Sequence, residues 1–210
     1  MGAATMTRMQ LSAALLLAAL SASSCRKSDA ETERSAPTPL ERAVDPAQPR
    51  YESIEDAFRI SFPLKATPRV IVDPPDTVDQ GHLAGARITR VSYYVAQGDL
   101  TFLVEVRRYS RAPITTGAEW SQWALEEMRG NSKRLLEERM VSIPAPGGNS
   151  VVGVQVFGEM PSGVRVHNTI FVYGNRMYAI GAAPASLTDA ATYLRFLRSF
   201  ELLDQSKAAR

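Results

Sequence analysis

The sequence predicts an α+β fold in which an antiparallel sheet of about seven strands is flanked by helices. The clearest observation is a hairpin, because two alternating runs, Val164–Tyr173 and Arg176–Ala183, are joined by Gly174-Asn175. Gly and Asn tolerate the positive φ that a tight hairpin turn requires. The second observation is an apolar stripe at helical spacing over Leu187–Phe200, opened by a capping-box variant at Ser186. The third is one-sided alternation in the strands, which favours an antiparallel sheet covered by helices.

The first part of the domain is predicted to supply three strands. Phe58–Phe62 alternates apolar and polar residues and ends at Pro63. The runs Ala86–Ala96 and Leu100–Tyr109 then form a hairpin around the turn Gln97-Gly98-Asp99. Because these runs alternate, we expect each strand to turn one apolar face towards a core.

The connection Leu64–Gly85 is predicted to be irregular, since prolines and aspartates interrupt it. Its spaced aspartates, Asp73, Asp76 and Asp79, resemble a calcium loop only superficially. An EF-hand also needs a glycine at the turn and a glutamate at the end, and this spacing lacks both. We therefore expect no calcium site here.

A helix is predicted at Gly117–Arg129, where Trp120, Trp123 and Met128 fall on one apolar stripe. The following Gly130-Asn131 is a natural C-terminal stop. We expect the two tryptophans to face the core; the alternative is an exposed docking patch.

The remaining strands follow this helix. Arg134–Ile143 suits either a continued helix or a strand, and its last residues, Met140–Ile143, favour the strand. Val151–Glu159 is rich in β-branched residues and turns at Pro161–Gly163 into the last hairpin. The predicted order is therefore three strands, a helix, four strands and a helix.

Three short motifs mark this order: Phe58-Arg59-Ile60-Ser61-Phe62-Pro63, Tyr173-Gly174-Asn175-Arg176-Met177-Tyr178 and Phe196-Leu197-Arg198-Ser199-Phe200. With these motifs, the order resembles that of the PsbP-like superfamily over roughly Tyr51 to Leu203. The resemblance implies an antiparallel sheet sandwiched between helices in a domain that we place at residues 51–204. It implies no shared catalytic residue, since members mostly act as binding or assembly modules.

Residues 1–24 are predicted to be a lipoprotein signal peptide. Arg8 precedes the apolar run Leu11–Leu20, which is too short to span a bilayer core of about 30 Å. Ala22-Ser23-Ser24-Cys25 then resembles the bacterial lipobox, although Ala22 stands where leucine is usual. The alternative is a plain signal peptide cleaved near Ala22, with Cys25 incidental.

Cys25 is the predicted lipidation site. It is the only cysteine of the chain, so no intramolecular disulfide can form. Acylation would remove a lone thiol from an oxidising compartment, and several acyl chains anchor a protein without a membrane helix. Residues 25–50 carry almost no large apolar side chains and are expected to form a disordered tether, and residues 205–210 a disordered tail.

The charge balance and the polar residues exclude several functions. The formal net charge is +2 with both signs abundant, so we expect no nucleic-acid partner. The histidines, His82 and His167, have no carboxylate partner at ligand spacing, and a solvated or sheet-packed His167 is expected. No serine lies in a nucleophile elbow, and no glycine-rich loop follows a strand. We therefore expect no catalytic residue, no metal and no cofactor.

One cluster of charge is a candidate interaction patch. Arg107, Arg108 and Arg111 lie together near the end of a predicted strand and could bind an acidic surface or a lipid headgroup. The alternative is a solvated sheet edge whose charges discourage pairing with another strand.

These observations predict a membrane-anchored periplasmic lipoprotein whose domain is a non-enzymatic protein-binding or assembly module. Its expected partners are the membrane, through acyl chains on Cys25, and another envelope protein. The outer membrane is favoured because Arg26, rather than an aspartate, follows Cys25. The alternative is a carrier that holds a small apolar ligand between sheet and helices. A third hypothesis is an enzyme whose site is dispersed over loops.

Overall fold

The computed structural model describes residues 36–43, 45–78, 83–112, 117–186 and 188–207. Within these residues the protein has a large sheet, a small sheet and two α-helices, α1 (Gly117–Asn131) and α2 (Ala190–Arg198). Short 3₁₀ turns lie at Pro63–Lys65 and Gln205–Lys207. The strands are β1 (Thr38–Pro39), β2 (Tyr51–Ser53), β3 (Phe58–Ile60), β4 (Arg69–Val72), β5 (Asp76–Thr77), β6 (Arg87–Gln97), β7 (Leu100–Tyr109), β8 (Arg134–Pro144), β9 (Ser150–Glu159), β10 (Arg165–Tyr173), β11 (Arg176–Ala183) and β12 (Glu201–Leu202).

The large sheet has nine strands in the order β1-β8-β9-β10-β11-β7-β6-β4, with β5 also paired to β6. Neighbours are antiparallel except β1 and β8, which run parallel with Thr38 opposite Val141. The expected antiparallel sheet of about seven strands is therefore wrong in two respects: the sheet is larger, and it is mixed. The added strands β1, β4 and β5 come from segments that the sequence predicted to be a tether or a loop.

The strand at Phe58–Ile60 does not join the large sheet. It forms the centre of a separate three-stranded sheet, in the order β12-β3-β2. Its partner β12 comes from the chain end, since Leu202 lies opposite Phe58. A strand of three residues that alternates buried and half-buried side chains fits either sheet, so only long-range pairing decides which one it joins.

Both faces of the large sheet are covered. On one face, α2 and the small sheet pack through aromatic rings, with the centroid of Phe58 5.9 Å from that of Phe200 and 5.0 Å from that of Tyr93. On the other face, α1 buries Trp120, and Trp123 packs edge-on against it at 5.0 Å. The core-facing prediction for the tryptophan stripe is confirmed for Trp120.

The last hairpin and helix form much as predicted. Gly174 has φ of +59° at the turn between β10 and β11, and Phe171 opposes Tyr178 across the ladder. The helix begins later than the predicted Leu187, because its N-cap is Asp189, whose carboxylate accepts a hydrogen bond from the Thr192 backbone N–H. The ambiguous segment after α1 is a strand, β8.

The segments before and after the predicted domain also pack against it. Leu40 is buried, and its backbone N–H donates to the Ser142 carbonyl at 2.8 Å. The Ala43 N–H donates to the Arg198 carbonyl at 3.1 Å. At the other end, the Gln205 side chain donates to the Tyr173 carbonyl at 2.7 Å. The predicted disordered tether to residue 50 and the tail from residue 205 are thus wrong for these residues; Cys25 and the signal segment lie outside the described residues.

Candidate functional site: an exposed edge of the large sheet

The strand β4 presents an apolar surface at one edge of the large sheet. Val70, Ile71 and Val72 expose 48%, 40% and 61% of their surface. These three apolar residues form the centre of β4, and every residue of the strand is exposed. β4 is the last strand on this side of the sheet in the part of the chain that the structure describes. An open edge strand with apolar side chains is a template for pairing with another strand.

The backbone of β4 fixes which groups face the open edge. The Asp73 N–H donates to the Arg90 carbonyl of β6 at 2.9 Å, and Ile71 lies opposite Ser92 in the same register. Because alternate residues of an antiparallel strand bond to the same neighbour, Asp73 and Ile71 bond to β6. Val70 and Val72 therefore direct their N–H and C=O groups away from the sheet.

Prolines set the limits of this strand. Pro68 and Pro74 flank the five residues from Arg69 to Asp73, and proline cannot donate a backbone hydrogen bond. The side chains of Arg69 and Asp73 share a face of the strand with Ile71 and carry opposite charges. The sequence predicted an irregular loop here, but three consecutive β-branched residues between prolines are a signal that indicates a short strand.

A buried charge network lies on the face that carries the small sheet. Asp56, in the turn between β2 and β3, is fully buried. Arg108 binds its carboxylate through both Nε and Nη2, the latter at 3.0 Å, and the Tyr93 hydroxyl also donates to it. The Tyr178 hydroxyl donates to the Asp56 carbonyl at 2.8 Å. The Ser53 hydroxyl oxygen accepts the Asp56 N–H at 3.1 Å. These bonds attach the β2–β3 turn to three strands of the large sheet.

The pKa shifts of Arg108 and Tyr93 agree with this structural role. The hydrogen bond to Asp56 raises the pKa of the Arg108 guanidinium against the opposing effect of burial. Burial, and then the hydrogen bond to the Asp56 carboxylate, raise the pKa of the Tyr93 hydroxyl. Both side chains therefore hold their protons at neutral pH, so neither is suited to proton transfer.

The three arginines of the predicted patch do not lie on one surface. The side chain of Arg107 is 5% exposed and its Nε donates to Glu105 at 2.7 Å, whereas that of Arg108 is 24% exposed and binds Asp56. Arg111 is exposed and donates to the Ala84 carbonyl at 2.9 Å. Consecutive residues of a strand point to opposite faces, so Arg107 and Arg108 are separated by the sheet itself.

Of the two histidines, His82 lies outside the described residues. His167 is stacked between Phe157 and Tyr193, with both ring centroids 4.8 Å from its own. Burial lowers the pKa of this imidazole, opposed by the charge of Glu137. Of the two predicted environments, solvated or packed on the sheet, His167 has the second.

A cavity of about 330 Å³ lies where the N-terminal segment meets the end of β8 and the end of α2. Leu40, Ile143 and Phe200 supply apolar walls, and Arg42 and Glu201 pair at its border. Ligand pockets begin at about this volume. The cavity therefore lies at the end of the layer between the large sheet and α2, bordered by β8 on one side and by Leu197 and Arg198 on the other.

Two further findings concern the described residues only. Among them, no group of three or more His, Cys, Asp or Glu side chains is arranged to hold a metal ion. Within the same part of the chain, no helix is long and apolar enough to cross a membrane.

No protein-family model matches the chain, and no curated protein matches it. Among solved structures, the chain is similar to the solution structure of cyanobacterial PsbP (CyanoP) from a Synechocystis species, with 13% sequence identity and a TM-score of 0.42. The match covers 76% of this chain and 95% of that one.

Proposed function

We propose that this chain is a lipid-anchored envelope protein whose domain is a non-enzymatic module that binds protein through the edge strand β4. The observation that carries the proposal is the exposure of Val70, Ile71 and Val72 on an open sheet edge. The lipid anchor is proposed from the lipobox-like Ala22-Ser23-Ser24-Cys25. We place it on the periplasmic face of an envelope membrane and favour the outer membrane, because Arg26, rather than an aspartate, follows Cys25.

Strand addition suits this edge. In that mode an extended segment pairs with an open sheet edge, main-chain hydrogen bonds supply affinity, and the alternating side chains supply specificity. Val70 and Val72 offer outward backbone groups, and apolar side chains stand beside them. A bound strand would remove this apolar surface from water, which stabilises the complex.

The packing supports protein binding over the carrier alternative. Between the large sheet and α2, large aromatic side chains fill the core, including Phe58, Phe171, Tyr178 and Phe196, each at most 1% exposed. A ligand in that layer would have to displace these close-packed rings.

In-cell photo-crosslinking tests the proposed surface. A photoreactive residue replaces Val72, the most exposed position of β4, and a matched control replaces Ile54, an apolar residue that is 51% exposed in the β2–β3 turn. We expect Val72 to give a discrete adduct that mass spectrometry identifies and that Ile71→Lys removes, while Ile54 gives none. Equal capture at both positions, or capture at neither, would contradict the proposal.

The anchor has its own test. Cys25→Ser removes the acceptor of the acyl chains, so we expect the protein to leave the membrane fraction and to appear in the soluble fraction. Cell fractionation with alkaline washing measures this, and Arg26→Lys is the control that keeps the cysteine. Retention of the Cys25→Ser protein in washed membranes would refute the lipid anchor and leave the β4 surface unaffected.

A further inference from the structure

We propose that the partner of β4 is β4 of a second copy of this chain, paired antiparallel about a twofold axis at Ile71. The inference rests on the proposed function of this edge and names its occupant. The five residues between the flanking prolines read Arg69-Val70-Ile71-Val72-Asp73. When this segment meets a reversed copy of itself, each residue opposes one of matching chemistry.

The backbone supports this register. Val70 and Val72 carry the outward N–H and C=O groups, so a hydrogen-bonded pair across the edge must join two of these residues. In the symmetric register, Val70 pairs with Val72 of the partner subunit, and the same pair repeats on the other side of the axis. Each pair exchanges two hydrogen bonds, so the whole outward backbone of the segment is satisfied.

The side chains support the same register. Arg69 then lies opposite Asp73 of the partner subunit at a non-hydrogen-bonded position, where side chains approach most closely. Two such ion pairs flank the contact of Ile71 with Ile71 of the partner subunit. On the opposite face of the paired strands, the valines of one copy contact the valines of the other. Both faces of the contact are therefore complementary.

The neighbouring registers are less favourable. A shift by one hydrogen-bonded pair in one direction sets Val72 opposite Pro68 of the partner subunit, and a shift in the other direction sets Val70 opposite the partner's Pro74. Proline has no N–H to donate, so each pair that contains it makes one hydrogen bond instead of two, and neither shift gains hydrogen bonds over the symmetric register. Both shifts also separate Arg69 from the partner's Asp73. The sequence of the edge therefore selects one register.

The contact is small, which suits copies held on one membrane. Pairing of five residues buries less than the ~1,200 Å² that stable soluble interfaces need. Two copies anchored in the same bilayer have a raised effective concentration, which favours a weak contact without new interactions. The test is therefore made on the full chain in its own membrane.

Single-cysteine crosslinking tests the twofold axis. Cys25 is the only natural cysteine, and acylation occupies it in the anchored protein. Ile71→Cys places one thiol on the axis, where the two Cα atoms of a non-hydrogen-bonded pair lie about 4.5 Å apart, within disulfide range. We expect oxidation of membranes to give a dimer that a reductant dissolves, and Ile54→Cys, at a matched exposure, to stay monomeric.

Charge exchange tests the register and the identity of the partner. Arg69→Asp or Asp73→Arg alone places like charges opposite each other twice per dimer, so we expect crosslinking of the Ile71→Cys chain to fall about tenfold. The double variant, Arg69→Asp with Asp73→Arg, restores the opposite charges and should restore the dimer. A foreign partner would not restore its binding to the doubly exchanged chain.

The outcomes separate the two proposals. If Ile71→Cys gives no dimer while the photoreactive residue at Val72 captures a different protein, the self-pairing is overturned and the β4 binding surface stands. If the dimer forms but the double exchange fails to restore it, the register is overturned. If neither probe captures any protein, both proposals fail.

Discussion

The two edges of the large sheet differ in how far their unpaired backbone groups are protected from pairing with another strand. At the β8 edge, exposed charges line the outer strand at Arg134, Glu137, Glu138 and Arg139, and a register shift interrupts it at Leu135. The short parallel strand β1 then covers the far end of β8. At the β4 edge, charges stand only at the two ends, and the centre is apolar and exposed.

Charges, bulges and covering segments are the devices by which sheets avoid unwanted strand pairing. Within the described residues, all of them are found at the β8 edge and none at the centre of β4. An apolar open edge carries a risk of aggregation, and its presence beside a protected edge supports our proposal that β4 pairs with another strand. The flanking prolines limit that pairing to a few residues.

The largest expected effect is a loss of folding stability when the β1 segment is held less tightly on the β8 edge. Leu40 is 5% exposed and holds the β1 segment on the sheet, so Leu40→Ala should lower the free energy of unfolding by about 2–3 kcal/mol. Urea denaturation followed by tryptophan fluorescence measures this. Ile54→Ala, at an exposed apolar position, is the control and should change it by less than about 0.5 kcal/mol. An unchanged stability for Leu40→Ala would mean that the N-terminal segment is not docked.

The second prediction concerns a substitution that should block strand pairing at the β4 edge without unfolding the protein. Val72→Pro removes an outward N–H and leaves the β4–β6 bonds intact, so crosslinked dimer should fall about tenfold with little change in stability. Ile71→Pro is the matched contrast, because the Ile71 N–H points to β6 and its loss should lower stability. If both prolines lower stability equally, the assignment of outward groups on β4 is wrong.

The smallest expected effect concerns the first pair of the β8–β9 ladder. The Lys133 ammonium lies 2.7 Å from Glu159 and, with Arg134, holds the pKa of that carboxyl below its usual value. Because the folded carboxyl is the stronger acid, its stabilising contribution is present above the unfolded pKa and is lost as pH falls through the folded pKa. Glu159→Gln should therefore flatten the acid side of a plot of urea midpoint against pH. A profile identical to that of the natural chain would contradict this role.

Much of the fold was predictable because it rests on local chemistry. The Gly174-Asn175 turn needs positive φ, and the alternation on either side sets the register of β10 and β11, so that hairpin forms as expected. The helix α1 follows from its periodicity, whereas the segment of β8 suited a helix or a strand in sequence and is a strand in the structure. The N-cap at Asp189 was within the predicted capping segment but marks a later helix start.

The candidate site was less predictable. β4 shows no alternation, because its residues are exposed on both faces, and periodicity is a signal of one-sided burial. The arginine patch was predicted from closeness in sequence, yet Arg107 and Arg108 lie on opposite faces. The partner of Arg108 is Asp56, about fifty residues away, and no local pattern reports such a pair.

By itself, the sequence determined the tight turns, the two helices, most of the longer strands and their order along the chain. Each of these depends on neighbouring residues: the φ that a residue tolerates, the spacing of apolar side chains, the donor that proline lacks. Only the tertiary structure decided that β3 joins a second sheet, that the N-terminal segment covers one edge, and that β4 is the edge left open. Those outcomes depend on which distant strands compete for the same hydrogen bonds, and that competition is settled when the whole chain packs.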